Sequence, residues 1–266
     1  MSVNVDRAAR VSPKADLRDG VSVGPFSIVE DNVVIGEGTQ IDSCVLIASG
    51  ARIGKGCRVH HGSVVSTIPQ DLKFAGEETS LEIGDGTIVR EFATLNRGTK
   101  DRGKTIIGSN CLLMAYAHVA HDCFVGNNVI LANAVNMGGH VTIDEYTIVG
   151  GMVPIHQFVQ IGCHVMVGGG FRVVRDVPPY VLVGQTPLSF EGLNIVGLKR
   201  RGFSREAIAG IETAYHYIYN SNLNVSQALE RIQKEMVITD EVKRIIEFIK
   251  GSKRGIVGLK RKQVPS

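Results

Sequence analysis

Aliphatic residues recur at every sixth position from Val5 to Val65, through Val11, Leu17, Val23, Val29, Ile35, Ile41, Ile47, Ile53 and Val59. The series returns at Ile83, Val89 and Leu95. It returns again from Ile107 through Leu113, Val119, Val125, Leu131, Met137, Ile143, Val149, Ile155, Ile161 and Val167 to Val173. A period of six suits neither the α-helix, at about 3.6 residues per turn, nor the strand, whose side chains alternate in twos. It suits a solenoid in which each hexad is one short strand and one corner, so that three hexads close a triangular coil around an axial core. The fourth residue after each aliphatic one is small or β-branched, as at Val21, Thr39, Val45, Ala51 and Cys57. A core of small branched side chains also accounts for the absence of tryptophan and an aromatic content of 6%. Gly24, Gly36, Gly54, Gly84, Gly108, Gly126, Gly150 and Gly162 directly follow an aliphatic residue. They mark corners where a Cβ would clash or where φ is positive.

Two polar stretches interrupt the hexads, residues 66–82 and about 100–106. Both gaps keep the register in multiples of six, so loops can bulge outward while the coil continues beneath them, and loops on a rigid scaffold commonly carry function. After Pro178 and Pro179 the period is lost and helix signals follow. Ser204 is placed to cap REAIAGIETAYHYIYN, Val225 to Met236 reads as a second helix, and Thr239 is placed to cap EVKRIIEFIK, which stops at Gly251. The expected organisation is mainly β, with a β-helix domain over residues 1–188 and an α-helical domain over 189–266 that blunts the end of the solenoid. From Gly192 onward there are 14 Lys and Arg against 7 Asp and Glu, a surplus of seven in a chain of net charge +3, which leaves −4 for the first 191 residues. Such asymmetry suits either an acidic partner or solvated helix faces. MSVNVDRAAR lacks the apolar stretch of an export signal and no apolar run is long enough to span a bilayer, so a cytoplasmic location is expected. Five cysteines without CxxC pairing exclude a disulfide framework and a zinc ribbon.

His118, His121, His140 and His156 fall close together along the coil. Residues eighteen apart stack on neighbouring coils at about 4.8 Å. His121, Gly139 and Gln157 therefore form one vertical file, Asp122 and His140 the next, and Ala120, Gly138 and His156 a third. An imidazole at this edge can take a hydroxyl proton, Asp122 can fix its tautomer, and the Gly139 N–H can receive a developing oxyanion. No serine or cysteine occupies a matching place, and Cys123 falls at the inward position of its hexad, which argues against a covalent acyl-enzyme. Corner histidines could instead stack as a structural ladder. A zinc site of the kind found in a β-helical carbonic anhydrase is a further reading, but HxxH at 118 and 121 with an added Asp does not match the ligand pattern expected there. No metal is expected.

The motif of aliphatic, Gly, two variable, small, variable resembles that of the hexapeptide-repeat acyltransferases, which implies a left-handed parallel β-helix. Further strings are QDLKFAGE at 70–77, NRGT at 96–99, AHVAHDC at 117–123, GGH at 138–140, HQF at 156–158, HVMVGG at 164–169, DVPPYV at 176–181 and LKRRGFSREAI at 198–208. Together they resemble the UDP-N-acetylglucosamine acyltransferases of lipid A biosynthesis over nearly the whole chain. The resemblance implies a homotrimer that uses no cofactor of its own. It would move a 3-hydroxyacyl chain from acyl carrier protein, on its phosphopantetheine arm, to the sugar's 3-hydroxyl. His121 would be the base, Asp122 its support and Gly139 the oxyanion donor. Asp71 and Lys73 would contact the sugar nucleotide, while His118, His140, His156 and Gln157 would line a cleft between subunits. Asn194, Arg200 and Arg201 would reach the nucleotide or the carrier, whose acidity the basic C-terminal part would complement. Gly169 lies in the string that limits acyl length in the family and leaves room for a longer chain. Asn96 stands where some relatives carry His, and Val196 where some carry Glu. An N-acyltransferase of the same pathway, a CoA-dependent acetyltransferase and an inert β-helical scaffold are the rival readings. Neither nucleic acid nor a membrane span is expected.

Overall fold

The computed structural model describes residues 2–259; residues 260–266 of the expected helical domain lie outside the described residues. Among the described residues three sheets, parallel throughout the coil, form the faces of a prism. One has twelve strands and begins at Asn4–Val5, while two of eight begin at Arg10–Val11 and Asp16–Leu17. Asn4 pairs with Ser22 and Val5 with Val23, so one coil takes eighteen residues. The aliphatic of each strand points into the axis: Ile35, Ile47, Leu95, Leu113, Met137 and Ile161 are all fully buried. The second inward position of the hexad is filled as expected by Val21, Thr39, Val45, Ala51 and Cys57, each buried.

The corners divide two requirements that the sequence left together. After the aliphatic comes the position where glycine is common, because the next coil is too near for a side chain. A Cβ on Gly36 would lie 2.5 Å from the Gly54 carbonyl carbon, and one on Gly108 2.7 Å from that of Gly126. Positive φ falls two residues later, and non-glycine residues mostly hold it: Asn110 at 55°, Asp122 at 58°, Asn128 at 58° and His140 at 62°. Asn, Asp and His tolerate this left-handed region better than other side chains. The turn aims the amide at the coil below, as in His140 N–H to the His121 carbonyl at 3.1 Å.

Both loops leave the register intact. Arg58 pairs with Gln40 on one side and with Ile88 on the other, and Thr94 pairs with His118. The coil absorbs twelve additional residues at the first loop and six at the second. Beyond the hexads the twelve-stranded sheet continues through Val181–Gly184 into an antiparallel hairpin with Ser189–Leu193, which Gly258–Leu259 joins in parallel. Four helices follow the hairpin: α1 (Ile195–Arg200), α2 (Arg205–Tyr219), α3 (Val225–Glu235) and α4 (Asp240–Gly251). The expected caps Ser204 and Thr239 accept hydrogen bonds from Ala207 N–H and Val242 N–H. The hairpin and α1 are additions to the sequence reading. The helices close the last coils: Tyr215 Oη donates to the Pro179 carbonyl at 2.6 Å, and Ser252 bonds Asp176 at 2.6 Å. No described helix is long and apolar enough to cross a membrane.

Asp144 follows Ile143 at the hexad position that glycine holds at Gly126 and Gly162. Burial, then the neighbouring Glu145, push its carboxyl up to about 6, against the pull of Arg244 from α4. The folded chain therefore binds this proton more tightly than the unfolded one, and stability falls as pH rises from the ordinary carboxylate range to about 6. Asp144→Asn is expected to raise Tm by several degrees above neutrality and to leave it unchanged near the bottom of that window. Thermal scans across the pH range, read by circular dichroism, check this.

Candidate active site

The strand His118–Val119 of an eight-stranded sheet runs into the corner that carries His121 and Asp122. Asn136–Met137, one coil on, delivers Gly139 and His140 to the same edge, and Pro154–Ile155 delivers His156 and Gln157. Positive φ at Asp122 turns its carboxylate back toward the neighbouring imidazole, and His121 Nδ1 lies 2.8 Å from Asp122 Oδ2. With Nδ1–H given to the carboxylate, Nε2 carries the lone pair. The imidazole lies over Gly139, where a Cβ would come within 2.6 Å of His121 Cε1 and 2.7 Å of Nε2. Among the described residues, the Gly139 N–H donates no hydrogen bond.

Asp122 is fully buried yet carries four hydrogen-bond donors. Thr99 gives its N–H to Oδ1 at 3.0 Å and its hydroxyl to Oδ2 at 2.7 Å, Arg102 N–H reaches Oδ1 at 3.3 Å, and His121 completes the set. Burial pushes this carboxyl up, but the bonds from His121 and Thr99 outweigh it and hold the group below its ordinary value. Arg102 Nη1 also clamps the Asp122 carbonyl at 2.9 Å. His140 sits between two carboxylates, with Nε2 3.7 Å from Asp122 and Nδ1 3.3 Å from Asp101, and stacks on Phe158 at 4.4 Å between ring centroids. Burial lowers its pKa, with Asp122 opposing. The ligand atoms of His121, Asp122 and His140 lie within 4.8 Å of one another. The donors from Thr99 and Arg102 already engage both Asp122 oxygens, and His121 Nδ1 is bonded to one of them, so the arrangement fits a hydrogen-bonded dyad better than a ligand set.

The other expected site residues are dispersed in one chain. His118 stands on the sheet face rather than the corner, with Nδ1 2.7 Å from Thr94 Oγ1, and burial lowers its pKa. His156 Nδ1 lies 3.0 Å from the Gln157 carbonyl. In the first loop Asp71 Oδ1 accepts from the Lys73 N–H at 3.0 Å, and Leu72 beside it is fully exposed. Asn96 anchors the neck of that loop, giving Nδ2–H to Thr67 Oγ1 at 3.0 Å and to the Ile68 carbonyl at 3.1 Å. Gly169 is exposed and lies against Gly151. Asn194 caps α1 and bonds the His164 carbonyl at 2.9 Å, so much of its amide serves the fold. Arg201 covers the Tyr146 ring at 5.1 Å, while Arg200 and Val196 are exposed. Among the described residues no hydrogen bond, ion pair or ring contact joins Asp71, Lys73, Gly169, Asn194, Arg200 or Arg201 to the His121 dyad. The sequence reading missed Thr99, Asp101 and Arg102. Thr99 closes the NRGT string, and the signal for Asp101 and Arg102 was position, in a loop that the coil's register had already set apart.

A hexapeptide coil with a His–Asp dyad and a free backbone donor at one edge defines the chain as a hexapeptide-repeat transferase. The family model for the bacterial transferase hexapeptide matches residues 32–67 and 104–139, and the one described as UDP-N-acetylglucosamine O-acyltransferase, domain 2, matches 176–257. The acyl-[acyl-carrier-protein]–UDP-N-acetylglucosamine O-acyltransferase of Thiobacillus denitrificans is 46% identical over 94% of this chain and 97% of its own length. The same-named protein of Aliarcobacter butzleri is 46% identical over 95% and 97%. The crystal structure of the UDP-N-acetylglucosamine acyltransferase from Bacteroides fragilis superposes with a TM-score of 0.93 at 44% identity, covering 95% of this chain and 99% of that one. The chain belongs to the UDP-N-acetylglucosamine O-acyltransferase family, and its coil is the left-handed parallel β-helix of those enzymes.

Proposed function

We propose that this enzyme transfers a 3-hydroxyacyl group from acyl carrier protein to the 3-hydroxyl of UDP-N-acetylglucosamine, in the cytoplasm, as the first step of lipid A biosynthesis. The observation that carries the reading is the His121–Asp122 contact of 2.8 Å beside a Gly139 N–H without an internal partner. His121 Nε2 takes the proton of the sugar hydroxyl as its oxygen attacks the thioester carbon. The Gly139 N–H stabilises the oxyanion of the tetrahedral intermediate. Collapse breaks the C–S bond, and His121 returns its proton to the departing phosphopantetheine thiolate. A direct transfer also fits Cys123, the cysteine nearest the dyad in sequence: it is buried, bonded to the Gly138 carbonyl at 3.2 Å, and its thiol is pushed up to about 12 by burial.

The separation of Asp71, Lys73, Gly169, Asn194, Arg200 and Arg201 from the dyad within one chain supports a homotrimer whose cleft is completed between copies, with His118, His140, His156 and Gln157 lining it. Gly169, open on the surface, favours a long acyl chain. The test is acyl transfer to UDP-N-acetylglucosamine with short and long 3-hydroxyacyl carrier donors in competition. The expected result is 3-O-acyl product with preference for the longer donor. No product with either donor overturns the substrate reading, and preference for the short donor overturns the length reading alone.

A further inference from the structure

A buried carboxylate serves a neighbouring imidazole only if it stays charged and stays put, and at Asp122 both conditions depend on the second loop. Thr99, itself buried, supplies two of the donors, with its N–H on Oδ1 at 3.0 Å and its hydroxyl on Oδ2 at 2.7 Å. That oxygen is the one His121 Nδ1 uses at 2.8 Å. The Asp101 N–H donates to Thr99 Oγ1 at 3.2 Å, which directs the hydroxyl hydrogen away from the loop and onto the carboxylate. We infer that Thr99 is a positioning residue of the reaction: its hydroxyl holds Asp122 Oδ2 against His121 and tempers the carboxylate's pull on the imidazole. The inference rests on the reading of His121 as base.

The sign follows from the shared oxygen. A second donor on Oδ2 withdraws charge from it, so removing that donor leaves a stronger acceptor for the imidazolium that forms during transfer. The other groups facing the pair are His140 at 3.7 Å, Arg102 on the Asp122 backbone carbonyl and Oδ1, Asp101 against His140, and the Cys123 thiol next in sequence. None of them bonds Oδ2 in place of the hydroxyl, since His140 Nε2 stands beyond hydrogen-bond distance.

Thr99→Val keeps the shape and the backbone donor and removes the hydroxyl, whereas Thr99→Ser keeps the hydroxyl and removes the methyl. For Thr99→Val the acid limb of kcat/KM is expected to move to higher pH. The plateau kcat should fall about tenfold with KM for the sugar nucleotide unchanged, because a wandering carboxylate misplaces the base. Thr99→Ser is expected to restore both, with melting curves of all variants establishing that they fold. An acid limb that coincides with wild type in folded Thr99→Val, or a Thr99→Ser as impaired as Thr99→Val, overturns the inference while His121→Ala remains strongly impaired. Full activity of His121→Ala would remove the base itself, and is distinguishable from either.

Discussion

His121→Ala is expected to lower kcat by about 10²–10⁴-fold, the range that a positioned general base contributes, with little change in KM for UDP-N-acetylglucosamine. The side chain is 14% exposed and its Nδ1 is committed to Asp122, which leaves Nε2 to accept the hydroxyl proton. Truncation also leaves the fully buried Asp122 with three donors in place of four, a loss of about 1.5–3 kcal/mol for a hydrogen bond to a charged group. Thermal stability must therefore be measured beside the rate. The carboxyl is held below its ordinary value, so its stabilising contribution is present above the ordinary carboxylate range and disappears as pH falls through the depressed value. Without the His121 bond that depression is smaller, and His121→Ala should lose less stability on acidification than wild type. Steady-state kinetics, with Tm followed across the acid range, checks both parts. A folded His121→Ala that turns over at the wild-type rate removes the mechanism and leaves the substrate reading standing.

Gly139→Ala is expected to lower kcat by about 100-fold while leaving Tm within about 2 °C of wild type, the disparity arising from what the new methyl meets. At glycines that directly follow a hexad aliphatic a Cβ would strike backbone of the next coil, as at Gly36, where the carbonyl carbon of Gly54 would lie 2.5 Å away. At Gly139 it would strike the His121 ring at 2.6 and 2.7 Å, and the three nearest atoms all belong to that ring. The imidazole is the part that must give way. A base displaced by about 1 Å from a reacting hydroxyl forfeits on the order of 10² in rate, although the fold loses little. Gly151→Ala is the control: the methyl would approach only the Asn133 carbonyl at 3.3 Å, away from the dyad, and should change kcat less than twofold. Equal losses at the two positions would mean that Gly139 is a packing residue and nothing more.

The hexad count alone located the axial core, the coil length and the stacking of His121 under Gly139 and of Asp122 under His140. Those relations follow from translation along a regular coil, so spacing is sufficient to derive them. Helices α2 and α4 were also legible, because Ser204 and Thr239 cap stretches whose apolar residues recur at helical spacing. The hairpin after Pro179 was not, since Val181–Gly184 and Ser189–Leu193 are stabilised by pairing with the end of a sheet rather than by any local pattern.

At the site, residue order determined which groups share an edge, and tertiary structure decided which of them touch. The sequence placed His121 beside Asp122. The left-handed turn at Asp122 brings the carboxylate onto Nδ1, and a loop looping out of the coil returns Thr99 and Arg102 to keep that buried carboxylate charged. Loop residues have no period, and their partners lie twenty or more positions away in the chain. Regular spacing thus fixes the scaffold because every coil repeats the same step. The electrostatics of the dyad depend on non-repeating contacts that exist only once the coil has closed around its core.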